Sequence, residues 1–321
     1  MMTRARKVWD RLAKTKVWVP RLPAYEQTRL SWARVAGTWD EVPEVFREPL
    51  TAVAGEGGSL PYTVLTPTVQ GFLRRPGEKL ICTAGDEIWV MEKVQNVAVS
   101  TCYPVAGISR IEVGSVLLKG WMTIRGVDRS GTPKGSTVEF NTVGEGLLTP
   151  IVAKARPAPV GSGGVEYEAE IDKLRGLAPL NFKFMNYARR TIVPGERVIR
   201  FVLQPEVRAR APRLLGRQWW GRIYPAHLTV VTDKELIDIR DEAGVRWNPD
   251  AKHGGIWTFV RLEQVVGAAV EEEEDGMVRL AVELVGGDRV EVVFAGEREE
   301  EVRGMMGDLT TKYTRDSKVI A

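Results

Sequence analysis

MVRLAVELVGGDRVEVVF, residues 277–294, forms the centre of the region 254–313, where the sequence specifies its architecture most clearly. From residue 277 to residue 285, apolar side chains alternate with polar or small ones, which is typical of a strand with one buried face. The alternation resumes at residues 289–294. Gly286-Gly287 lies between the two runs and tolerates positive φ, so it predicts a two-residue hairpin turn.

The periodicity changes after Gly296 to a helical spacing, which predicts one amphipathic helix. Glutamates crowd the first turn of this helix, and Lys312 and Arg315 lie near its end, an order that suits the helix dipole. Because the apolar runs 256–262 and 265–270 precede the hairpin, the region predicts a strand meander closed by a helix. The apolar stripe of that helix consists of Val302, Met305, Met306, Leu309 and Tyr313.

The composition is ordinary for a soluble globular protein, since 44% of the 321 residues are hydrophobic, 27% are charged and the net charge is +3. The length allows roughly two domains. The sequence shows neither an apolar run of about 18 residues nor a secretory leader, so we expect a cytoplasmic protein. Cys82 and Cys102 could pair, but two thiols in so long a chain favour a reduced protein with two unrelated buried thiols.

Turns and linker-like segments divide the chain into four parts. We expect a basic, helical N-terminal extension at 1–58, a first domain at 59–156, a linker at 157–178 and a second domain at 179–321. Residues 157–164, rich in Pro, Gly and Ser, form the clearest linker. Within these parts the pattern predicts helices at 25–36 and 147–156 and a hairpin turning at Asp233-Lys234.

The N-terminal extension begins with a strongly basic segment, residues 3–18, that contains a single acid, Asp10. A basic amphipathic helix with Trp can bind an anionic membrane surface or a partner protein. The alternative is an arm that packs on the body through Trp9 and Leu12, or frays. The residues that would contact the membrane or the partner are Arg4, Lys7, Trp9, Arg11 and Lys14.

Three short sequences recur in the same order in the two halves of the chain, which indicates an internal repeat. The matched pairs are PGEKLI (76–81) with PGERVI (194–199), ISRIE (108–112) with FVRLE (259–263), and VEF (138–140) with VEV (290–292). This order, with the strand pattern and the closing helix, resembles the bacterial pleckstrin-homology-like (PH-like) domain family. The resemblance covers residues 60–156 and 179–313. It implies a mainly β protein of two tandem, partly open β-barrels, each closed by a C-terminal helix, after the N-terminal helical extension.

Catalytic and metal-binding residues are scarce. His227 begins a strand-like run and His253 lies in a Gly-flanked loop, and because no local motif gives either one a catalytic partner, both are expected to be structural. No zinc, Walker or dinucleotide pattern occurs, so we expect neither a metal nor a cofactor. The acidic run 271–275 could hold a divalent cation, but a solvated turn is the favoured interpretation because adjacent like charges repel.

An arginine-rich insertion at residues 208–222, the Arg/Trp insertion, is the most unusual feature of the chain. Arginine suits phosphate or carboxylate, and tryptophan adds stacking or interfacial insertion. The alternative is structural, with the arginines paired to Glu44, Glu48 or the acidic run 271–275 and the tryptophans packed between domains. The candidate anion- or lipid-binding residues are Arg208, Arg210, Arg213, Arg217, Trp219, Trp220 and Arg222.

The PH-like resemblance implies binding of lipid headgroups, peptides or neighbouring subunits. We therefore expect a non-enzymatic intracellular binding or scaffolding protein, whose ligand stays open. One alternative is peripheral binding to anionic lipid at the inner face of the membrane, through the basic N-terminal segment and the Arg/Trp insertion. Another is nucleic-acid binding through the arginines with stacking tryptophans. A protein partner or an oligomer is expected ahead of lipid, and lipid ahead of nucleic acid.

Overall fold

The computed structural model describes residues 32–55, 57–67, 77–160, 164–208, 213–214, 217–218, 222–242 and 254–316, and only the backbone at 213–214, 217–218 and 311–316. The strands up to residue 156, the first half, are β1 (Arg34–Val35), β2 (Tyr62–Thr66), β3 (Lys79–Ala84), β4 (Glu87–Val94), β5 (Val97–Pro104), β6 (Ile108–Val116), β7 (Lys119–Val127) and β8 (Pro133–Asn141). The strands after residue 179, the second half, are β9 (Val198–Gln204), β10 (Val207–Arg208), β11 (Arg213–Leu214), β12 (Arg217–Gln218), β13 (Ile223–Tyr224), β14 (His227–Thr232), β15 (Glu235–Arg240), β16 (Gly254–Arg261), β17 (Val265–Glu273), β18 (Met277–Leu284) and β19 (Arg289–Ala295). The helices are α1 (Glu44–Ala54), α2 (Glu145–Ala155), α3 (Val165–Asp172), α4 (Phe182–Thr191) and α5 (Glu299–Asp316).

The protein is mainly β, as the sequence predicts, and the strands of the described residues form three larger sheets and two short ribbons. Every strand pair in the described residues is antiparallel, and within this part of the chain no sheet closes into a barrel. The predicted hairpin with its turn at Asp233-Lys234 is confirmed as β14 and β15.

The first sheet has the order β1-β2-β3-β4-β5 and packs against α1. Phe46 and Leu50 of α1 have no exposed surface and share a buried cluster with Leu80 and Met91 of the sheet. Burial of each such side chain is worth roughly 1.5–3 kcal/mol, so its apolar face holds α1 on the sheet. Residues 34–54 of the expected N-terminal extension thus belong to the first half, since β1 pairs with β2 and α1 buries Phe46 and Leu50 against the sheet.

The largest sheet has seven strands in the order β8-β7-β6-β16-β15-β14-β9, so it contains strands of both halves. β6 and β16 join them as antiparallel neighbours, with Val113 opposite Trp257 and Ile111 opposite Phe259. One hydrophobic core also contains residues of both halves. The two halves therefore share a sheet and a core. The domain boundaries expected from the sequence stay a prediction.

The third sheet, β17-β18-β19, packs against α5. Of the predicted apolar stripe, Val302, Met305 and Leu309 are buried and Met306 packs beside them, whereas the side chain of Tyr313 lies outside the described residues.

The expected meander is wrong in one respect, because β16 pairs with β15 and β6 and lies in a different sheet from β17. β16 is the central strand of its sheet and most of its side chains are buried. A strand buried on both faces shows a continuous apolar run, which does not indicate its neighbours. The short 3-10 turn Leu262–Gln264 passes the chain from one sheet to the next.

The loop between β18 and β19 also differs from the expected two-residue turn. Residues 285–288 lie between the strands, Val285–Gly287 forms a 3-10 turn, and the Leu284 N–H closes the loop by donating to the Asp288 carbonyl oxygen at 2.8 Å. Gly286 and Gly287 have φ of 79° and 76°, so both glycines adopt the left-handed conformation that the dipeptide favours.

Two further expectations differ locally. Of the helix expected at 25–36, residues 25–31 lie outside the described residues, and Arg34–Val35 forms β1 because its backbone pairs with β2. The expected linker 157–178 contains α3 and a 3-10 turn, Lys173–Leu177. Ile171 and Leu174 are buried there, so apolar contact with the body orders a segment whose start resembles a linker.

The matched sequences of the internal repeat do not all occupy equivalent elements. VEF and VEV lie in β8 and β19, each the last strand before a helix, but ISRIE begins at the start of β6 whereas FVRLE runs past the end of β16. Short alternations of apolar and charged residues suit any half-buried strand, so their identity alone does not align the two halves.

Candidate functional site

A cavity of about 340 Å³, the junction pocket, lies where β6 and β16 meet helices α2 and α4. Directly opposed residues of an antiparallel pair project from the same face, so Val113 and Trp257 enter the pocket together. Its walls therefore come from both halves. The lining residues are Val113, Glu145, Leu148, Thr149, Val152, Arg156, Tyr187, Arg190, Thr191, Trp257 and Phe259.

Aromatic side chains form one wall of the junction pocket. The rings of Tyr187 and Trp257 lie 5.0 Å apart between centroids and are tilted by 54°, a favourable aromatic geometry. A Cβ atom at Gly255 would lie 3.1 Å from the Tyr187 ring and 3.0 Å from the Trp257 ring. The glycine thus lets α4 approach β16 closely enough for the two rings to meet.

A buried ion pair forms the base of the pocket. Arg156 Nη2 lies 2.6 Å from Glu235 Oε2, and the same nitrogen donates to the Thr191 carbonyl oxygen at 2.7 Å. The guanidinium also lies 4.2 Å from the centroid of the Phe259 ring. Glu235 has no exposed surface, so its charge requires this partner. Arg156 is therefore structural, and its charge is already balanced.

Glu196 lies close to this ion pair and is itself buried. Its Oε2 accepts a hydrogen bond from the Val193 N–H at 3.3 Å, while Oε1 has no hydrogen-bond partner in the described structure. Burial, followed by the charge of Glu235, raises the pKa of Glu196 to about 7. This carboxyl consequently titrates near neutral pH.

Arg190 and Glu145 provide charge at the rim of the pocket. Arg190 is exposed, and no acidic side chain among the described residues forms an ion pair with it. A ligand that enters the pocket meets the Arg190 guanidinium, which forms no ion pair among the described residues, at the opening, and aromatic and aliphatic surface inside. That combination suits an apolar group with an acidic substituent, because arginine binds carboxylate, sulfonate and phosphate oxygens in a fork.

His227 lies in the interior of the second half, at the start of β14. It is buried, its Nδ1 lies 3.2 Å from the Pro225 carbonyl oxygen, and its ring packs edge-on against Phe294 at 4.8 Å. Burial lowers its pKa below the ordinary value of 6.5, so the ring is held neutral. His253 lies outside the described residues.

The Arg/Trp insertion is only partly described. Arg208 pairs with Glu206 at 2.8 Å. Arg222 lies 3.4 Å from Glu273 and 5.1 Å from the centroid of the Tyr224 ring. The pairing of Arg222 with Glu273 agrees with the structural alternative for this insertion. The binding role stays a prediction, since the residues or side chains outside the described part are Arg210, Arg213, Arg217, Trp219 and Trp220.

The N-terminal membrane or partner candidates, Arg4, Lys7, Trp9, Arg11 and Lys14, all lie outside the described residues. Their role also stays a prediction.

The acidic run 271–275 is divided between β17 and the turn after it. Glu271 Oε1 accepts from Arg289 at 2.9 Å, and Glu273 pairs with Arg279 as well as with Arg222. Cross-strand arginines thus balance charges that repel in the isolated sequence. Among the residues described, no group of three metal-ligating side chains occurs.

Cys82 and Cys102 are free and buried on the first sheet. Both lie directly opposite Trp89 of β4, one on each side, so one strand separates them. Strands two apart are about 9–10 Å from each other, which exceeds the span of a disulfide. Burial is the main cause that raises the pKa of Cys82 to about 12 and that of Cys102 to about 11, so neither thiol is activated.

The fold and the pocket define a mainly β protein of antiparallel sheets with a cavity between its two halves. No protein-family model matches the chain, and no curated protein matches it. Among the described helices, none combines the length and the apolarity needed to span a membrane.

The residues of the junction pocket cannot be predicted from the sequence. Trp257 lies in a predicted apolar run and Arg156 at the end of a predicted helix, but these positions are about a hundred residues apart. No local spacing connects such positions. The one available signal was Trp257 in a run of small and β-branched residues, which a buried central strand also explains.

Proposed function

We propose that the protein is a non-enzymatic binding module of two PH-like halves, and that its junction pocket takes an aromatic or branched apolar group that carries an acidic substituent. The pocket itself carries the proposal. Its volume falls in the range of roughly 300–1,000 Å³ typical of small-ligand sites. Its aromatic wall and the guanidinium at its rim select the chemistry of the ligand.

The order of the elements supports the PH-like assignment. In the first half, four strands (β2–β5) and then three (β6–β8) are followed by α2. In the second half, four strands (β9 and β14–β16) and then three (β17–β19) are followed by α5. Seven strands and a closing helix are what the resemblance implies for each domain. The partly open barrels and the cytoplasmic location remain expectations of this proposal.

Two fluorescent probes test the pocket. 8-Anilinonaphthalene-1-sulfonate carries a sulfonate, whereas N-phenyl-1-naphthylamine has the same rings without the charge. We expect saturable binding of both to wild type. Val152→Trp should fill the cavity and abolish both signals while the melting temperature is retained. Arg190→Gln should weaken the sulfonate probe about tenfold and leave the neutral probe unchanged, because one charge-assisted contact is lost.

Arg303→Gln is the matched control, since Arg303 is an exposed arginine on α5, outside the pocket lining. It should bind both probes like wild type. Probe binding by folded Val152→Trp at the wild-type level would refute the pocket as the site. An equal loss of the two probes in Arg190→Gln would refute the acidic substituent.

A second candidate, peripheral binding to an anionic membrane, is favoured by one specific observation. Leu117, Leu118 and Val143 are 70%, 69% and 64% exposed and project from adjacent turns. Thr142 fixes the two turns together, because its hydroxyl donates to the Leu117 carbonyl oxygen at 2.9 Å and its N–H to that of Leu118 at 3.2 Å. Lys119 follows immediately and is 62% exposed. A rigid aliphatic tip beside a cation suits insertion at a membrane interface.

Co-sedimentation with phosphatidylserine-containing vesicles tests this candidate, with phosphatidylcholine vesicles and a nucleic-acid shift assay in parallel. Leu117→Ser with Leu118→Ser should reduce vesicle binding several-fold, whereas Val160→Ser, at a 66% exposed valine elsewhere, should not. Arg213→Ala with Arg217→Ala tests the Arg/Trp insertion and should lower the salt dependence of binding. Absence of vesicle binding at low salt would exclude this function. A gel shift with nucleic acid, in the absence of vesicle binding, would favour nucleic-acid binding through the Arg/Trp insertion.

A further inference from the structure

Two arginines face each other across neighbouring strands of the seven-stranded sheet. Arg110 of β6 is directly opposite Arg125 of β7, so the two side chains project from one face. Like charges in this position destabilise a sheet unless a counter-charge balances them. Asp288 supplies one such charge, since Arg110 Nε lies 2.9 Å from Asp288 Oδ2 and Ser109 donates to the same oxygen at 3.0 Å.

Arg125 is exposed and lies beside Arg110. It has no carboxylate partner among the described residues. Glu112, the next acid on this face of β6, is engaged by Arg240 at 2.8 Å. Arg125 therefore carries a positive charge beside Arg110 that no ion pair among the described residues balances.

A cleft of about 220 Å³ opens beside Arg125, between the paired ends of β7 and β8 and the loop Val285–Gly287 of the second half. Lys134 and Asp288 line it together with Arg125. Arg125 extends over Gly135, where a Cβ would lie 3.6 Å from Arg125 Cγ. Because Gly135 has no side chain, its position on β8 leaves space for a ligand next to the guanidinium.

The glycine loop forms the opposite wall. A Cβ at Gly286 would lie 2.7 Å from Val127 Cγ2, so only glycine lets the loop come this close to β7. Gly286 and Gly287 are both left-handed, with φ of 79° and 76°, and both line the cleft, so no side chain covers the loop backbone there.

We propose that this cleft binds a phosphate group, as the free anion or as a phosphomonoester. Arg125 supplies a planar fork of donors, Lys134 a point charge, and the glycine loop backbone N–H groups. The carboxylate of Asp288 is held by Arg110 and Ser109, which reduces its repulsion of the ligand. The bound anion would balance the opposed arginines, so its binding should stabilise the sheet. The site is separate from the junction pocket and does not depend on the function proposed for it.

Thermal unfolding in phosphate and in chloride at matched ionic strength tests the site on the full chain. Inorganic phosphate should raise the melting temperature of wild type saturably. Arg125→Gln should abolish this rise, Lys134→Gln should weaken the apparent affinity several-fold, and Arg129→Gln, at a neighbouring exposed arginine paired with Glu87, should respond like wild type.

The change in melting temperature caused by Arg125→Gln should differ in direction between the two salts. In chloride the variant should melt at or above the temperature of wild type, because the like-charge pair is gone; in phosphate it should melt below wild type. A merely structural Arg125 would lower the melting temperature in both salts and would overturn the proposal. An equal response to phosphate in wild type and Arg125→Gln would also overturn it.

Two phosphate sources can then be distinguished. Glycerol 3-phosphate should reproduce the effect of inorganic phosphate if the ligand is soluble. Arg125-dependent binding to phosphatidate vesicles, with no response to glycerol 3-phosphate, would assign the phosphate to a lipid headgroup. A response to neither phosphate ester would contradict the phosphomonoester and restrict the site to the free anion.

Discussion

Arg156, immediately after α2 of the first half, forms a buried ion pair with Glu235 on β15 of the second half, with Nη2 2.6 Å from Oε2. The two side chains are 10% and 0% exposed, so water does not share the interaction. The pair links the halves at the base of the junction pocket and beneath the Phe259 ring. The pair thus joins the two halves both by its charges and by its packing against the Phe259 ring.

Removal of either partner should therefore destabilise the protein strongly. Arg156→Leu or Glu235→Leu should each lower the free energy of unfolding in urea by roughly 3–5 kcal/mol, because an unpaired buried charge remains. The double replacement should lower the free energy of unfolding by less than the sum of the two single effects. Arg303→Leu, which breaks the exposed pair with Glu299, should lose under about 1 kcal/mol. Strict additivity of the two single effects would show that the pair does not couple the halves.

Glu196 should make stability depend on pH in a defined direction. Its folded pKa of about 7 exceeds the ordinary value of 4.5, so between these pH values the folded state binds more protons than the unfolded state. The free energy of unfolding should then fall as pH rises through this window, by on the order of 3 kcal/mol at most.

Glu196→Gln should remove this dependence, so the variant should gain stability over wild type at pH 8 and show no such gain at pH 4.5. Urea unfolding across that range measures the effect. Glu300→Gln, at an exposed glutamate, should follow wild type throughout. An unchanged pH profile in Glu196→Gln would show that another group causes the dependence.

Met305 should be essential for the packing of α5 on the third sheet, because it has no exposed surface. Met305→Asp buries a charge without a partner and should destabilise the protein by a few kcal/mol, roughly 3 or more. Met305→Leu conserves volume and should cost under about 1.5 kcal/mol. A melting temperature of Met305→Asp equal to that of wild type would show that this face of α5 does not need burial.

Gly286 and Gly287 allow a matched comparison within one loop. Both have positive φ, so an alanine at either position costs about 1 kcal/mol through the backbone. A Cβ at Gly286 also meets Val127 at 2.7 Å, whereas one at Gly287 meets nothing within 4 Å. Gly286→Ala should therefore lower the melting temperature more than Gly287→Ala. Equal effects would mean that the loop can move away from β7 without loss.

The strands and the last helix follow from the sequence to a large extent. Alternation in β19 and the stripe of Val302, Met305 and Leu309 appear as predicted, whereas in β18 Met277 and Ala281 of the face expected to be exposed are buried as well. These features depend on contacts between residues close in sequence, on backbone preference and on one buried face. The mainly β class follows for the same reason.

Tertiary structure alone decided which strands became neighbours. The apolar run of β16 predicts a buried strand, but only packing places it beside β6, about 140 residues earlier in the chain. The junction pocket, the Arg156–Glu235 pair and the opposed Arg110 and Arg125 all follow from such pairings. Long-range register depends on how two separate apolar faces fit together, and a periodic pattern records that a face is buried without recording what covers it.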